Sequence, residues 1–101
     1  MKKEKHSTCL IAQVAQLLSD PWTMLMIRDL LKKEMRFSDL LRSLDGISSR
    51  TLTNKIKHLE QEKILYKKND NYYSLTDKGR NLKKVLNAMI SYGKNVGLET
   101  E

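Results

Sequence analysis

Apolar residues recur at helical spacing along most of the chain, interrupted by a strand-like stretch from about residue 64 to 75. Leu10, Ile11, Val14, Leu17 and Leu18 follow helical spacing and predict an amphipathic core helix from about Ser7 to Leu18. Asp20 then reads as an N-cap with Pro21 at the first helical position, where its missing N–H costs nothing. The helix that follows is apolar over a wide arc, with Trp22, Leu25, Met26, Asp29 and Leu30 on one side, so it should be central. A short third helix is expected with Ser38 as cap, Phe37 as a staple before it, and Leu40, Leu41 and Leu44 facing inward, ending at Gly46.

The fourth helix starts with Ser48 as cap and runs over about 48–63. Leu52, Ile56 and Leu59 form a narrow buried stripe. With about 100° between successive residues, Arg50, Asn54, Lys57 and Gln61 lie almost opposite that stripe, flanked by Lys55 and His58. After it, "ILYKKNDNYYSLT" holds two runs of β-forming residues around the turn residues Asn69, Asp70 and Asn71. A two-stranded hairpin is predicted, Ile64–Lys68 with Tyr72–Leu75, spanning about 64–75. Thr76 can cap a last helix over about 77–96. Its apolar positions Leu82, Val85, Leu86, Met89, Ile90 and Tyr92 exceed what anchoring one helix requires. The tail "GLETE" should fray.

A short helix, a tight turn and a fourth helix carrying basic and amide side chains form a helix-turn-helix, and the hairpin completes a winged version of it. The expected fold is mainly α with a small β-hairpin, a single winged helix-turn-helix domain over residues 1–101. Charge sharpens this picture. Lys+Arg 19 against Asp+Glu 12 gives a net charge of +7, which favours a polyanionic partner. An α-helix fits the B-DNA major groove; Arg bonds guanine bidentately and Asn does the same with adenine. The candidate DNA contacts are Arg36, Ser38, Ser48, Ser49, Arg50, Thr51, Thr53, Asn54, Lys55, Lys57 and His58, with Lys67, Lys68, Asn69 and Asn71 from the hairpin. Lysines at 55, 57, 67 and 68 suit phosphates. Asp70 fits poorly, because an acid at a wing tip repels phosphate.

These stretches also resemble a family. The chain is similar to the HxlR-type branch of winged-helix transcription regulators, close to the MarR-like group, over about Cys9 to Tyr92. The marks are Cys9 opening the first helix, "WTMLMIRDLL", "RFSDL", "GISSRTLT", "KHLEQEKI" and "YSLTDKGR". The resemblance implies a homodimer paired through its terminal helices, a recognition helix at Ser48–Lys63 and a wing at Lys67–Tyr73. Leu10, Ile11, Leu82, Val85, Leu86, Met89, Ile90 and Tyr92 are the expected interface residues. The chain departs from the family in three ways. Lys63 stands where glycine is usual, and costs roughly 1 kcal/mol there if the site is left-handed. The wing is short, without a proline-bearing extension. Leu10 follows Cys9 where proline is frequent.

One cysteine allows no internal disulfide framework and fits a reducing cytosol. Cys9 has two readings: an oxidant or electrophile switch, helped by a helix N-terminus with Lys5 and His6 nearby, or a small apolar residue tucked against the dimer helix. His6 and Cys9 alone do not make a closed metal site, so no metal and no cofactor are expected. Neither a glycine-rich phosphate loop nor a nucleophile elbow occurs, which argues against an enzyme. No apolar run approaches the ~20 residues needed to span a bilayer. The expectation is a cytoplasmic, nucleoid-associated homodimer on double-stranded DNA, answering an unknown small-molecule or oxidant signal. The alternative is a winged helix used as a protein-interaction or RNA-binding module.

Overall fold

The structure is a computed structural model that describes residues 8–99. Lys5, His6 and the expected helix start at Ser7 lie outside the described residues, as do Thr100 and Glu101. The elements in chain order are α1 (Leu10–Leu17), α2 (Pro21–Lys32), α3 (Phe37–Ser43), α4 (Ser49–Gln61), β1 (Leu65–Lys67), β2 (Tyr73–Leu75), α5 (Asp77–Arg80) and α6 (Lys83–Asn95). This is a winged helix-turn-helix: α3, the turn at Gly46 and α4, followed by a hairpin.

The centre is α2. Asp20 caps it, accepting from the Thr23 N–H at 2.9 Å, with Pro21 in the first turn. Met26, Ile27 and Leu30 are buried against Leu40 and Leu44 of the α3 segment, the α4 stripe Leu52, Ile56 and Leu59, and Ile64, Leu65 and Leu75 of the hairpin. Asp29, also buried, accepts from the Ser43 hydroxyl at 2.6 Å and from Arg28, so the one buried carboxylate on α2 is satisfied and ties α2 to α3.

The hairpin is antiparallel, with Leu65 opposite Leu75 and Lys67 opposite Tyr73. Its turn puts Asn71 at φ 70°, a conformation that asparagine tolerates. The Asp70 carboxylate accepts from the Tyr72 N–H at 3.1 Å, which gives the acid at the wing tip a structural role. On its other edge, Tyr73 exchanges two backbone bonds with Met35, so the wing is stitched to the start of the helix-turn-helix.

Four expectations need correction. First, α1 is not a core helix. Leu10, Ile11 and Val14 are exposed, and only Leu18, just past its end, is buried. Periodicity found the apolar side correctly, but no other described part of this chain covers it. Second, Ser38 does not cap α3. The helix starts at Phe37, because the Asp39 carboxylate reaches back to the Arg36 N–H at 3.0 Å and closes the first turn earlier. Third, the last helix is broken. Thr76 caps α5 by accepting from the Gly79 N–H, but α5 is one turn long. Bonds from the amides of Leu82, Lys84 and Val85 to carbonyls three residues back then tighten the chain before α6. The break turns Leu82 into the core. Gly79 is needed here, because an added Cβ would overlap the Ile64 carbonyl. Fourth, and in consequence, Leu82 is not interface surface; Val85 and Leu86 are half-covered by the same core.

No helix among the described residues is long and apolar enough to cross a membrane.

Candidate nucleic-acid interface

The candidate surface is built on α4. Ser48 holds its N-terminus, accepting from the Thr51 N–H at 3.1 Å and donating its hydroxyl to Thr51 Oγ1 at 3.0 Å. The buried stripe fixes which side faces outward. Arg50, Asn54 and Lys57 are exposed on the far side, and their side chains make no hydrogen bond or ion pair among the described residues. Ser49 is exposed beside them and Thr53 half-buried.

The other flank of α4 is different. Thr51, Asn54, Lys55 and His58 border a cleft of about 720 Å3 whose opposite wall is Gln13 and Gln16 of α1, so Asn54 stands on the edge between this cleft and the outward face. Lys55 is half-buried there and pairs with Asp20 at 2.8 Å. Burial pushes the Asp20 carboxyl up, but the bonds from Lys55 and Thr23 outweigh it and hold the group below its ordinary range. Lys55, expected to meet a phosphate, has its ammonium bound inside the chain. Thr51 is likewise engaged with Ser48, and His58 is exposed at the mouth of the cleft.

The wing also divides. Lys67 is exposed, with its ammonium 5.8 Å from the Tyr73 ring centroid. Lys68 instead pairs with Glu34 at 2.8 Å and lies 4.0 Å from Asp70. That hydrogen bond holds the Glu34 carboxyl below its usual range and raises Lys68. Asn69 and Asn71 are exposed at the tip. Arg36 stacks over the Tyr72 ring at 4.9 Å, which places a guanidinium between α3 and the wing, and Ser38 is exposed two residues on. Sequence reasoning missed Asp20, Glu34 and Tyr72 as organisers of this surface. Tyr72 beside the turn was the only visible signal.

Residues 17–101 match the HxlR-like helix-turn-helix family. The chain belongs to this family. An HTH-type transcriptional regulator of Synechocystis, sll1512, is 37% identical over 100 residues, covering 91% of this chain and 73% of that protein. The regulator YvaP of Bacillus subtilis is 34% identical over 82 residues, covering 73% and 74%. Among solved structures, quinone-bound YodB from B. subtilis superposes with a TM-score of 0.79 at 28% identity, covering 84% of this chain and 96% of YodB. The protein is a transcriptional regulator of the HxlR/MarR type.

Two features of this HxlR-like chain lie away from α4. The terminal helices leave large apolar side chains uncovered: Leu10, Ile11 and Val14 on α1, and Met89, Ile90 and Tyr92 on α6. Cys9 sits at the N-cap of α1 and is exposed in the single chain.

Proposed function

We propose that the protein is a homodimer that recognises a pseudo-palindromic double-stranded DNA operator and regulates transcription by occupying it, in the cytoplasm at the nucleoid. The observation that carries this reading is the free trio Arg50, Asn54 and Lys57, held outward by the stripe Leu52–Ile56–Leu59. In this reading α4 is the recognition helix. Arg50 and Asn54 have the chemistry for base edges, and Lys57, Lys67 and Arg36 for phosphates. Exposed apolar residues on α1 and α6 support pairing through the terminal helices, which would repeat α4 about 34 Å away. The test is binding-site selection with purified protein, followed by sedimentation on and off the selected duplex. Selection of a palindromic motif by a species of twice 11.8 kDa is the expected result. A strict monomer that enriches no sequence favours the interaction-module reading instead.

A second reading is favoured by one neighbour, since YodB is described bound to a quinone. Cys9 is exposed at the start of a proposed dimer helix, so an electrophile adding to its thiol would alter the spacing of the two subunits. Operator affinity should change on treatment with a quinone in the wild type and stay constant in Cys9→Ser. Equal responses in both return Cys9 to a packing role.

A further inference from the structure

We propose that Asp20 and Lys55 form a clamp that sets the orientation of α4, so that Lys55 serves DNA binding through Asp20 and not by touching a phosphate. This rests on the reading of α4 as the recognition helix. The pair spans 35 residues of sequence and joins the cap of α2 to the middle of α4. The Asp20 end is fixed. The Asp20 carboxylate spends Oδ1 on the Thr23 N–H at 2.9 Å, and Oδ2 on the Thr23 hydroxyl at 3.0 Å and the Lys55 ammonium at 2.8 Å. A carboxylate tied by its own helix end does not follow a moving partner, so Lys55 is held to α2.

The clamp supplies what the apolar stripe lacks. Leu52, Ile56 and Leu59 set how deeply α4 sits, but a narrow stripe resists rotation about the helix axis weakly. A charged tie on one flank opposes that rotation, and rotation is the motion that would turn Arg50 and Asn54 away from base edges. Direction also separates Lys55 from Lys57. Lys55 lies about 160° around the axis from Lys57, toward the α1 cleft, so one duplex does not meet both lysines squarely. Asp20 and Lys55 are thus positioning residues.

The experiment titrates the full-length protein against selected and scrambled duplexes at two salt concentrations. Asp20→Asn keeps a good capping side chain, and Lys55→Gln keeps most of the aliphatic stem, so each removes charge with little threat to folding. Each variant should lose up to about fivefold in preference for the selected duplex with the salt slope unchanged. Lys57→Ala, by contrast, should lower that slope by about 1. The double variant should lose no more than either single one, and Lys55→Arg should restore the preference. A slope lowered by about 1 in Lys55→Gln with preference intact, or strictly additive losses in the double variant, would overturn the clamp. Wild-type protein that binds both duplexes equally defeats the proposed function instead. The clamp is then read in the free protein: Asp20→Asn should speed amide hydrogen exchange over Thr51–Lys55, and unchanged exchange overturns it.

Discussion

Helices α4 and α6 are each 13 residues long, and each carries one apolar side. Their fates are opposite. In α4 the apolar stripe is wholly buried and the polar side is offered outward. In α6 no residue is fully buried, and Met89, Ile90 and Tyr92 stand exposed. Amphipathicity alone therefore does not say what a helix is for. The deciding quantity is which side the rest of the chain covers. A covered apolar stripe leaves a polar face that suits a polyanion; an uncovered one calls for an apolar partner.

The largest effect should follow from breaking the α6 side of this contrast. Burying an isoleucine contributes about 1.5–3 kcal/mol, and a twofold interface uses it twice. Ile90→Asp should weaken dimerisation by roughly 3–6 kcal/mol, a factor of about 10²–10⁴ in Kd. Because Ile90 is 55% exposed in the single chain, the separated subunits should keep the helical circular dichroism of the wild type. Sedimentation and circular dichroism on the same sample check both halves. Loss of the folded signal would mean that α6 is covered by its own chain after all.

Next in size is the outward face of α4. Arg50→Ala or Asn54→Ala should cost about 1–3 kcal/mol on the best operator and relax preference there. Neither residue touches the buried stripe, so thermal stability should barely move. Binding at wild-type strength by Arg50→Ala would leave α4 as an ordinary solvated helix.

This contrast was half legible in the sequence. The α4 cap at Ser48 and its stripe followed from spacing, because both are local. So did the Asp20–Pro21 start of α2 and the Thr76 cap. Periodicity also marked the apolar sides of α1 and α6, but it cannot reveal what covers them, and Leu10 and Ile11 were read as both core and interface. The break that buries Leu82 depends on the Ile64 carbonyl meeting Gly79, a contact across 15 residues with no periodic trace. The ion pair of Lys55 was illegible for the same reason. Its partner is 35 residues away, so charge on the helical wheel said phosphate where the fold supplies Asp20.

A smaller effect lies at the ends of the two helices, which close in the same way. After α4, the Ile64 amide bonds the Leu59 carbonyl and the Lys63 amide that of Glu60. After α6, Leu98 bonds Gly93 and Gly97 bonds Lys94. Both are Schellman motifs, with Gly97 at φ 82° in one and Lys63 at φ 63° in the other. Lysine is strained where glycine is free, so Lys63→Gly should stabilise the fold by about 1 kcal/mol, measured by urea denaturation. No gain would show that the left-handed site is relaxed around lysine.

The smallest effect separates the helices by pH. α4 is tied down by a carboxylate, whereas α6 carries none in its sequence. The Asp20 group has a folded pKa below its ordinary value of 3.8, so its ionised form is the one the fold favours. Its stabilisation is fully present above that ordinary value and is lost as pH falls through the lower folded one. The pair is only partly shielded from solvent, so the contribution is under about 1 kcal/mol. Wild type should exceed Asp20→Asn in urea stability by a constant margin at pH 5–7, taken as roughly a unit or more above the ordinary carboxylate value. That margin should then close as acid protonates Asp20, because a neutral carboxyl and an amide cap α2 alike. A margin that persists below both pKa values would assign the loss in Asp20→Asn to its packing around Thr23 and not to its charge. The tie between α2 and α4 would then be steric, and acid would no longer distinguish α4 from α6.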